Sequence, residues 1–143
     1  MIIPDANLLL CAADKECADH AKAASWWRKA LHGSEEIGLC AVVAFGFIRL
    51  ATNRKVFRHP LTVKDARARV ANWLEFPNVV WIDAQREDLA ETERLLQAAG
   101  SAGSNLVTDA QIAAIASRTG GSVYSCDHDF GRFPSIDWTN PLE

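Results

Sequence analysis

Short runs of apolar and β-branched residues recur along this chain, each followed by a longer segment of helical periodicity, and that alternation restricts the fold more than any other feature. Ile2-Ile3, Ile37-Gly38-Leu39-Cys40, Val79-Val80-Trp81-Ile82 and Ser122-Val123-Tyr124-Ser125-Cys126 read as strands, and Ile136-Asp137-Trp138 is a candidate short fifth. Strands separated by helices call for crossover connections and a mostly parallel sheet covered on both faces. The expected fold class is α/β, a three-layer α/β/α sandwich around a sheet of four to five strands.

The helical segments follow from their periodicity and punctuation. Asn7 to Ala13 reads as one or two turns leaving the first strand, and Ala18 to Leu31 places Ala21, Ala24, Trp27 and Leu31 three and four residues apart before Gly33. Val42 to Thr52 has almost no polar face and is expected to be largely buried. Thr62 is placed to cap Val63 to Phe76, with Val70, Trp73 and Leu74 inward. Glu87 to Ala99 carries Leu89, Leu95 and Leu96. Gly100 to Gly103 is a break, and Asn105 to Thr119 is stopped by Gly120-Gly121.

A chain of 143 residues, 49% hydrophobic and 23% charged, suits one core, so a single domain over residues 1–143 is expected. The apolar run from Ile2 to Ala13 is interrupted by Pro4, Asp5 and Asn7 and has no basic leader, so neither a signal peptide nor a membrane span is expected, and the cytoplasm is the expected location. Cys11, Cys17, Cys40 and Cys126 have irregular spacing and no C-x-x-C pair. Reduced thiols are therefore expected, with Cys40 and Cys126 as core strand residues and no zinc site.

The net charge of −3 argues against binding nucleic acid by overall charge, but the sign is unevenly distributed. Arg49, Arg54, Lys55, Arg58, Lys64, Arg67 and Arg69 face a single acid, Asp65, over that stretch. Arg49, Arg54, Lys55 and Arg58 are candidate phosphate contacts, with an ordinary solvated surface as the alternative.

The aspartates carry the chemical argument. Asp5 follows the first strand, Asp127 and Asp129 follow the fourth, and Asp109 lies one turn into a helix with a small apolar face. Ligand crevices of open α/β sheets lie beyond the carboxyl ends of the strands, so these four acids can converge. Converging carboxylates repel one another unless a hard cation neutralises them, and an all-oxygen set favours Mg²⁺ or Mn²⁺ over zinc. Each acid has a plainer alternative: an N-cap at Asp5, an acid near a helix start at Asp109, an Asx turn at Asp127.

Asp5-Ala6-Asn7-Leu8-Leu9, Gly46-Phe47-Ile48-Arg49-Leu50-Ala51-Thr52-Asn53, Asn105-Leu106-Val107-Thr108-Asp109-Ala110, Asp127-His128-Asp129-Phe130 and the closing Phe133-Pro134, Trp138 and Asn140-Pro141-Leu142 occur in that order. Together they resemble a PIN-domain ribonuclease of the VapC toxin type. The resemblance implies a PIN-like sandwich, Mg²⁺-dependent cleavage of RNA, with tRNA or rRNA as expected structured substrates, inhibition by a VapB-type antitoxin, and a homodimer. It maps the family's first acid to Asp5, its third to Asp109 and its fourth to Asp127, with Asp129 adjacent. Asp5 and Asp109 are the expected metal ligands, and Asp127 with Asp129 the expected groups that orient the attacking water.

One departure stands out. The family's second acid usually lies in the helix after the second strand, where this chain has Gly46. Glu35 and Glu36 precede that strand and are expected at the opposite end of the sheet. An alternative reading follows, a catalytically impaired module that binds antitoxin or RNA without cutting. A phosphoacceptor domain with Asp83 as acceptor would need an acidic pair after the first strand and a lysine after a late one, and this chain has neither.

Overall fold

The computed structural model describes all 143 residues. Five strands, β1 (Ile2–Pro4), β2 (Ile37–Cys40), β3 (Val79–Ile82), β4 (Ser122–Tyr124) and β5 (Trp138–Thr139), form one sheet in the order β3-β2-β1-β4-β5. Every neighbouring pair is parallel. The first three strands step outward in one direction, and β4 begins a second progression on the other side of β1. That reversal is a topological switch point, which opens a crevice beyond the carboxyl ends of β1 and β4.

Six helices make the crossovers: α1 (Ala6–Ala13), α2 (His20–Leu31), α3 (Ala41–Ala51), α4 (Val63–Leu74), α5 (Asp88–Ala98) and α6 (Leu106–Thr119). The α1 helix packs on α2 and α3, α3 packs on α4, and α5 and α6 pair with each other, completing the α/β/α layers. Ile3, Ile37, Leu39 and Val123 of the sheet join Leu9, Phe47, Ile112 and Ile115 of the helices in one core. A Cβ at Gly38 would come within 3 Å of the side-chain ends of Ile82, Ile3 and Met1, so any larger residue in β2 would require those three side chains to shift. Gly120 ends α6 in the left-handed region at φ 68°, as its position after the helix predicts.

Several sequence expectations need correction. The α3 helix is not buried all round: Val43, Ala44, Phe47 and Ala51 enter the core, while Arg49 is exposed and Phe45 is 67% exposed. The cause is its place beside the crevice, which leaves its second face open. Leu89 is 75% exposed although Leu95 is fully buried. Six residues at ~100° each put these two leucines about 120° apart around α5, so they cannot share a face.

The thiols differ as well. Cys11 and Cys17 are disulfide-bonded, against the expectation of four reduced thiols. The chain turns back after α1 and brings the two Cα atoms to 5.4 Å, within disulfide reach. This turn also delays α2 to His20. Cys40 is a buried thiol, pushed up to about 12 by burial. Cys126 is only half-buried, because β4 ends at Tyr124 and Ser125-Cys126 leave the sheet.

A buried ion pair that the sequence does not announce ties α5 to α6. Asp88 is 5% exposed, and its Oδ1 accepts from Arg118 Nε at 2.8 Å while Oδ2 accepts from the Gln85 N–H at 2.7 Å. Burial pushes this carboxyl up, but the Arg118 hydrogen bond and the Gln85 amide outweigh it and hold the group below its ordinary value. Arg118 also donates to the Asp83 carbonyl at 3.1 Å, which fixes the end of β3.

Candidate active site

The crevice is built by the ends of β1 and β4 and the first turn of α6. Asp5 leaves β1 with its N–H bonded to the Tyr124 carbonyl at 2.9 Å, so the sheet itself sets its position. Its side chain is 5% exposed. Ser125, with no exposure at all, donates its hydroxyl to Asp5 Oδ2 at 2.8 Å and accepts the Asp127 N–H at 2.9 Å. The Ser125 backbone is tied down too, its N–H bonded to the Thr139 carbonyl and its carbonyl to Trp138 Nε1. A single buried hydroxyl therefore connects the two strand ends and their acids.

Asp127 occupies the N-cap of a 3₁₀ turn, His128–Arg132, and its Oδ1 accepts the Asp129 N–H at 2.9 Å. The Asx turn offered as an alternative role for Asp127 is thus present, and it brings Asp129 back toward the site. Phe130 and Phe133, both in the core, anchor this turn from below. Asp109 reaches in from α6. One carboxylate oxygen each from Asp109, Asp127 and Asp129 lie within 4.8 Å of one another.

Asp5 stands outside that trio and shares a second feature with Asp109, a cleft of about 440 Å³. Asp5 and Asn7 line it from β1 and α1, Thr108 and Asp109 from α6, and Phe45, Gly46 and Arg49 from α3. Asp109 belongs to both groupings. A Cβ at Gly46 would meet only the Ala6 Cβ, at 3.7 Å, so this wall has room for the side chain it lacks. Glu35 lies 3.6 Å from the amino terminus, at the far end of the sheet as expected, and contributes nothing to the cleft.

The electrostatics follow from this crowding. Burial pushes the Asp109 carboxyl up to about 7, reinforced by the charges of Asp5, Asp127 and Asp129. Burial also raises Asp5, with Asp127 adding to it, while the Ser125 hydroxyl and the N–H groups of Ala6 and Asn7 oppose the rise. Arg132, 3.8 Å from Asp129, is the one basic side chain that reaches any of the four acids. A carboxylate set with so little cationic compensation fits a hard divalent cation, which takes oxygen ligands and removes the mutual repulsion.

The expected basic contacts are divided. Arg49 lines the cleft, whereas Arg54, Lys55 and Arg58 lie exposed on the turn beyond α3, where Arg58 comes 3.8 Å from Glu16. His128 pairs with Glu143 at 2.8 Å and stacks edge-on to Trp138, away from the cleft lining. Sequence reasoning missed Ser125, Phe45 and Thr108. Ser125 was hidden inside a strand-like run, and the only available signal was a hydroxyl two residues before an acid at a strand end.

The PIN domain family matches residues 2–136. Over 142 residues the chain is 42% identical to Ribonuclease VapC33 of Mycobacterium tuberculosis, covering 99% of each. It is 37% identical over 141 residues to Ribonuclease VapC37 of the same species, covering 99% of this chain and 97% of that one. Among solved structures, the sarcin-ricin loop cleaving toxin VapC20 of Mycobacterium tuberculosis superposes with a TM-score of 0.71 at 19% identity, over 95% of this chain and 96% of that one. VapBC2 of Rickettsia felis, bound to a DNA fragment from its promoter, superposes with a TM-score of 0.69 at 16% identity, over 98% of both chains.

Proposed function

From the premise that this chain belongs to the PIN-domain family, among its VapC ribonucleases, we propose that residues 1–143 form a single PIN domain acting as a divalent-metal-dependent endoribonuclease toxin. Asp5, Asp109, Asp127 and Asp129 are its catalytic residues. The observation that carries this is the clustering of Asp109, Asp127 and Asp129 at the switch point of the sheet, with Asp5 lining the same cleft as Asp109 and the charges of the other three helping to push Asp109 up to about 7.

Mg²⁺, with Mn²⁺ as a substitute, is the cation these oxygens suit, and Asp109 with Asp5 would hold it. A cation bound there supplies Lewis acidity, lowering the pKa of the attacking water and neutralising charge that builds on the phosphate oxygens. The remaining work falls to side chains. Ser125 keeps the Asp5 carboxylate aimed and favours its ionised form. Asp127 commits Oδ1 to the Asp129 N–H and retains Oδ2 to accept a hydrogen bond from the attacking water. Arg49 offers a cation to the RNA backbone at the cleft wall, and Arg54, Lys55 and Arg58 extend the contact along the strand.

The partner proposed is a VapB-type antitoxin, in keeping with structural neighbours that are VapBC complexes. A homodimer, a structured RNA substrate such as tRNA or rRNA, and action in the cytoplasm complete the proposal. No helix is long and apolar enough to cross a membrane. The alternative, a module that binds without cutting, draws on Gly46, which leaves the α3 wall without a carboxylate.

Cleavage of total RNA by antitoxin-free protein with Mg²⁺ or Mn²⁺, beside EDTA and Asp5→Asn controls, separates the two. Discrete new ends that need metal and vanish in the variant are expected. Cleavage by Asp5→Asn equal to wild type would overturn the catalytic assignment, and RNA binding without any cleavage would favour the binding module.

A further inference from the structure

Phe45 is the feature of the cleft that the acidic chemistry does not use. Its ring is 67% exposed, yet it lines the same cleft as Asp5 and Asp109. Arg49 lies four residues on, hence on the same face of α3 and ~6 Å along its axis. The Arg49 guanidinium forms no ion pair or hydrogen bond within the chain. Gly46, about 100° around the helix from Phe45, also lines the cleft and presents no side chain. An unpartnered aromatic ring and an unpartnered cation thus lie about one helical turn apart on a wall of the cleft that Asp5 and Asp109 also line.

A nucleotide matches that pair: a flat base for the ring and an anionic phosphate for the guanidinium. The volume of about 440 Å³ falls within the roughly 300–1,000 Å³ typical of small-ligand sites. We propose that Phe45 is the platform on which a nucleobase flanking the scissile phosphate stacks, so that it positions single-stranded RNA at the acids. The proposal rests on the ribonuclease reading above and adds to it a residue that binds the RNA beside the acids. An apolar partner helix is the competing occupant of this wall. The polar rim formed by Asn7, Arg49, Thr108 and Asp109 favours RNA over it, because a base has polar edges to satisfy and an apolar helix face does not.

The test is a binding cycle on short single-stranded RNA oligonucleotides, each with one of the four bases or an abasic residue at the central position. Affinity is read by fluorescence anisotropy in Ca²⁺ to hold cleavage in check, with cleavage in Mg²⁺ followed in parallel. Stacked bases contribute about 5- to 150-fold in Kd by alanine substitution, so Phe45→Ala is expected to weaken binding within that range. The abasic residue should weaken wild type by a similar factor and add little to Phe45→Ala, and Phe45→Tyr should restore both the affinity and the abasic penalty. Since the ring is exposed, thermal unfolding of the variants should match wild type.

Additive effects of the variant and the abasic residue, or an unchanged RNA affinity in Phe45→Ala alongside weakened capture of an antitoxin helix, would overturn the proposal. Coupled effects without any cleavage would keep the stacking role and reject the nuclease reading. Normal cleavage with additive effects would do the reverse, and a wild-type protein that neither binds nor cuts RNA would reject both.

Discussion

The Ser125 hydroxyl donates to Asp5 Oδ2 at 2.8 Å across a separation of 120 residues, with both side chains buried. Removing a buried partner of this kind costs about 1–3 kcal/mol, because the acceptor left behind keeps its desolvation penalty. Ser125 also lowers the Asp5 pKa against the effect of burial. In Ser125→Ala the Asp5 carboxyl rises further, a smaller fraction is ionised at a given pH, and cleavage should fall. The pH profile of kcat is expected to shift toward alkaline pH, and an unshifted profile would show that Ser125 serves packing alone.

Stability of the metal-free protein should decrease as pH rises. The folded-state pKa of Asp109 is raised to about 7 from an ordinary 3.8, so the folded chain binds more protons than the unfolded chain between those values. The favourable contribution is complete below about pH 4 and is lost as pH rises through about 7. Asp109 is half-buried, and solvent screening reduces the full linkage to about 1–2 kcal/mol. Urea unfolding in EDTA at pH 5 and pH 8 should show this loss, Asp109→Asn should flatten it, and saturating Mg²⁺ should remove it. A variant with the same pH dependence as wild type would exclude Asp109 as its source.

Gly46→Glu should place a carboxylate on the one cleft wall that lacks it. The Cβ fits, with Ala6 at 3.7 Å as its nearest neighbour, and replacing a mid-helix glycine also favours α3 by about 0.5–1 kcal/mol. The Mg²⁺ concentration for half-maximal cleavage is expected to fall roughly tenfold, equivalent to ~1.4 kcal/mol of binding. Gly46→Ala is the control: it should gain the helix stability without changing the metal requirement. Equal metal titrations for the two variants would mean that the α3 wall does not face the cation.

Asp88→Asn should destabilise the fold while sparing the chemistry per folded molecule. The carboxylate and Arg118 are buried and partly buried, and breaking such a pair costs about 3 kcal/mol because the remaining charge is uncompensated. The denaturation midpoint should fall, whereas kcat of the folded fraction should hold. A large loss of kcat with an unchanged midpoint would assign the Asp88–Arg118 pair to the site instead.

The alternation of Ile2-Ile3, Ile37–Cys40, Val79–Ile82 and Ser122–Tyr124 with helical segments determines the parallel α/β architecture, because each apolar run must be covered and each crossover supplies the cover. Placing acids just beyond those strands makes their convergence legible as well: Asp5 and Asp127 lie at the ends of adjacent strands, and Asp109 one turn into the helix feeding β4. Local patterns of this kind are written in residue spacing.

Tertiary structure alone decided the rest, since it depends on what each side chain meets. Periodicity could not reveal that α3 keeps Phe45 and Arg49 toward an open cleft, because an apolar helix reads the same whether its second face is covered by protein or left free. Nor could spacing show that Cys17 folds back onto Cys11, that Asp88 buries its charge against Arg118, or that Ser125 reaches Asp5. These are contacts between elements, set by where the sheet puts their ends.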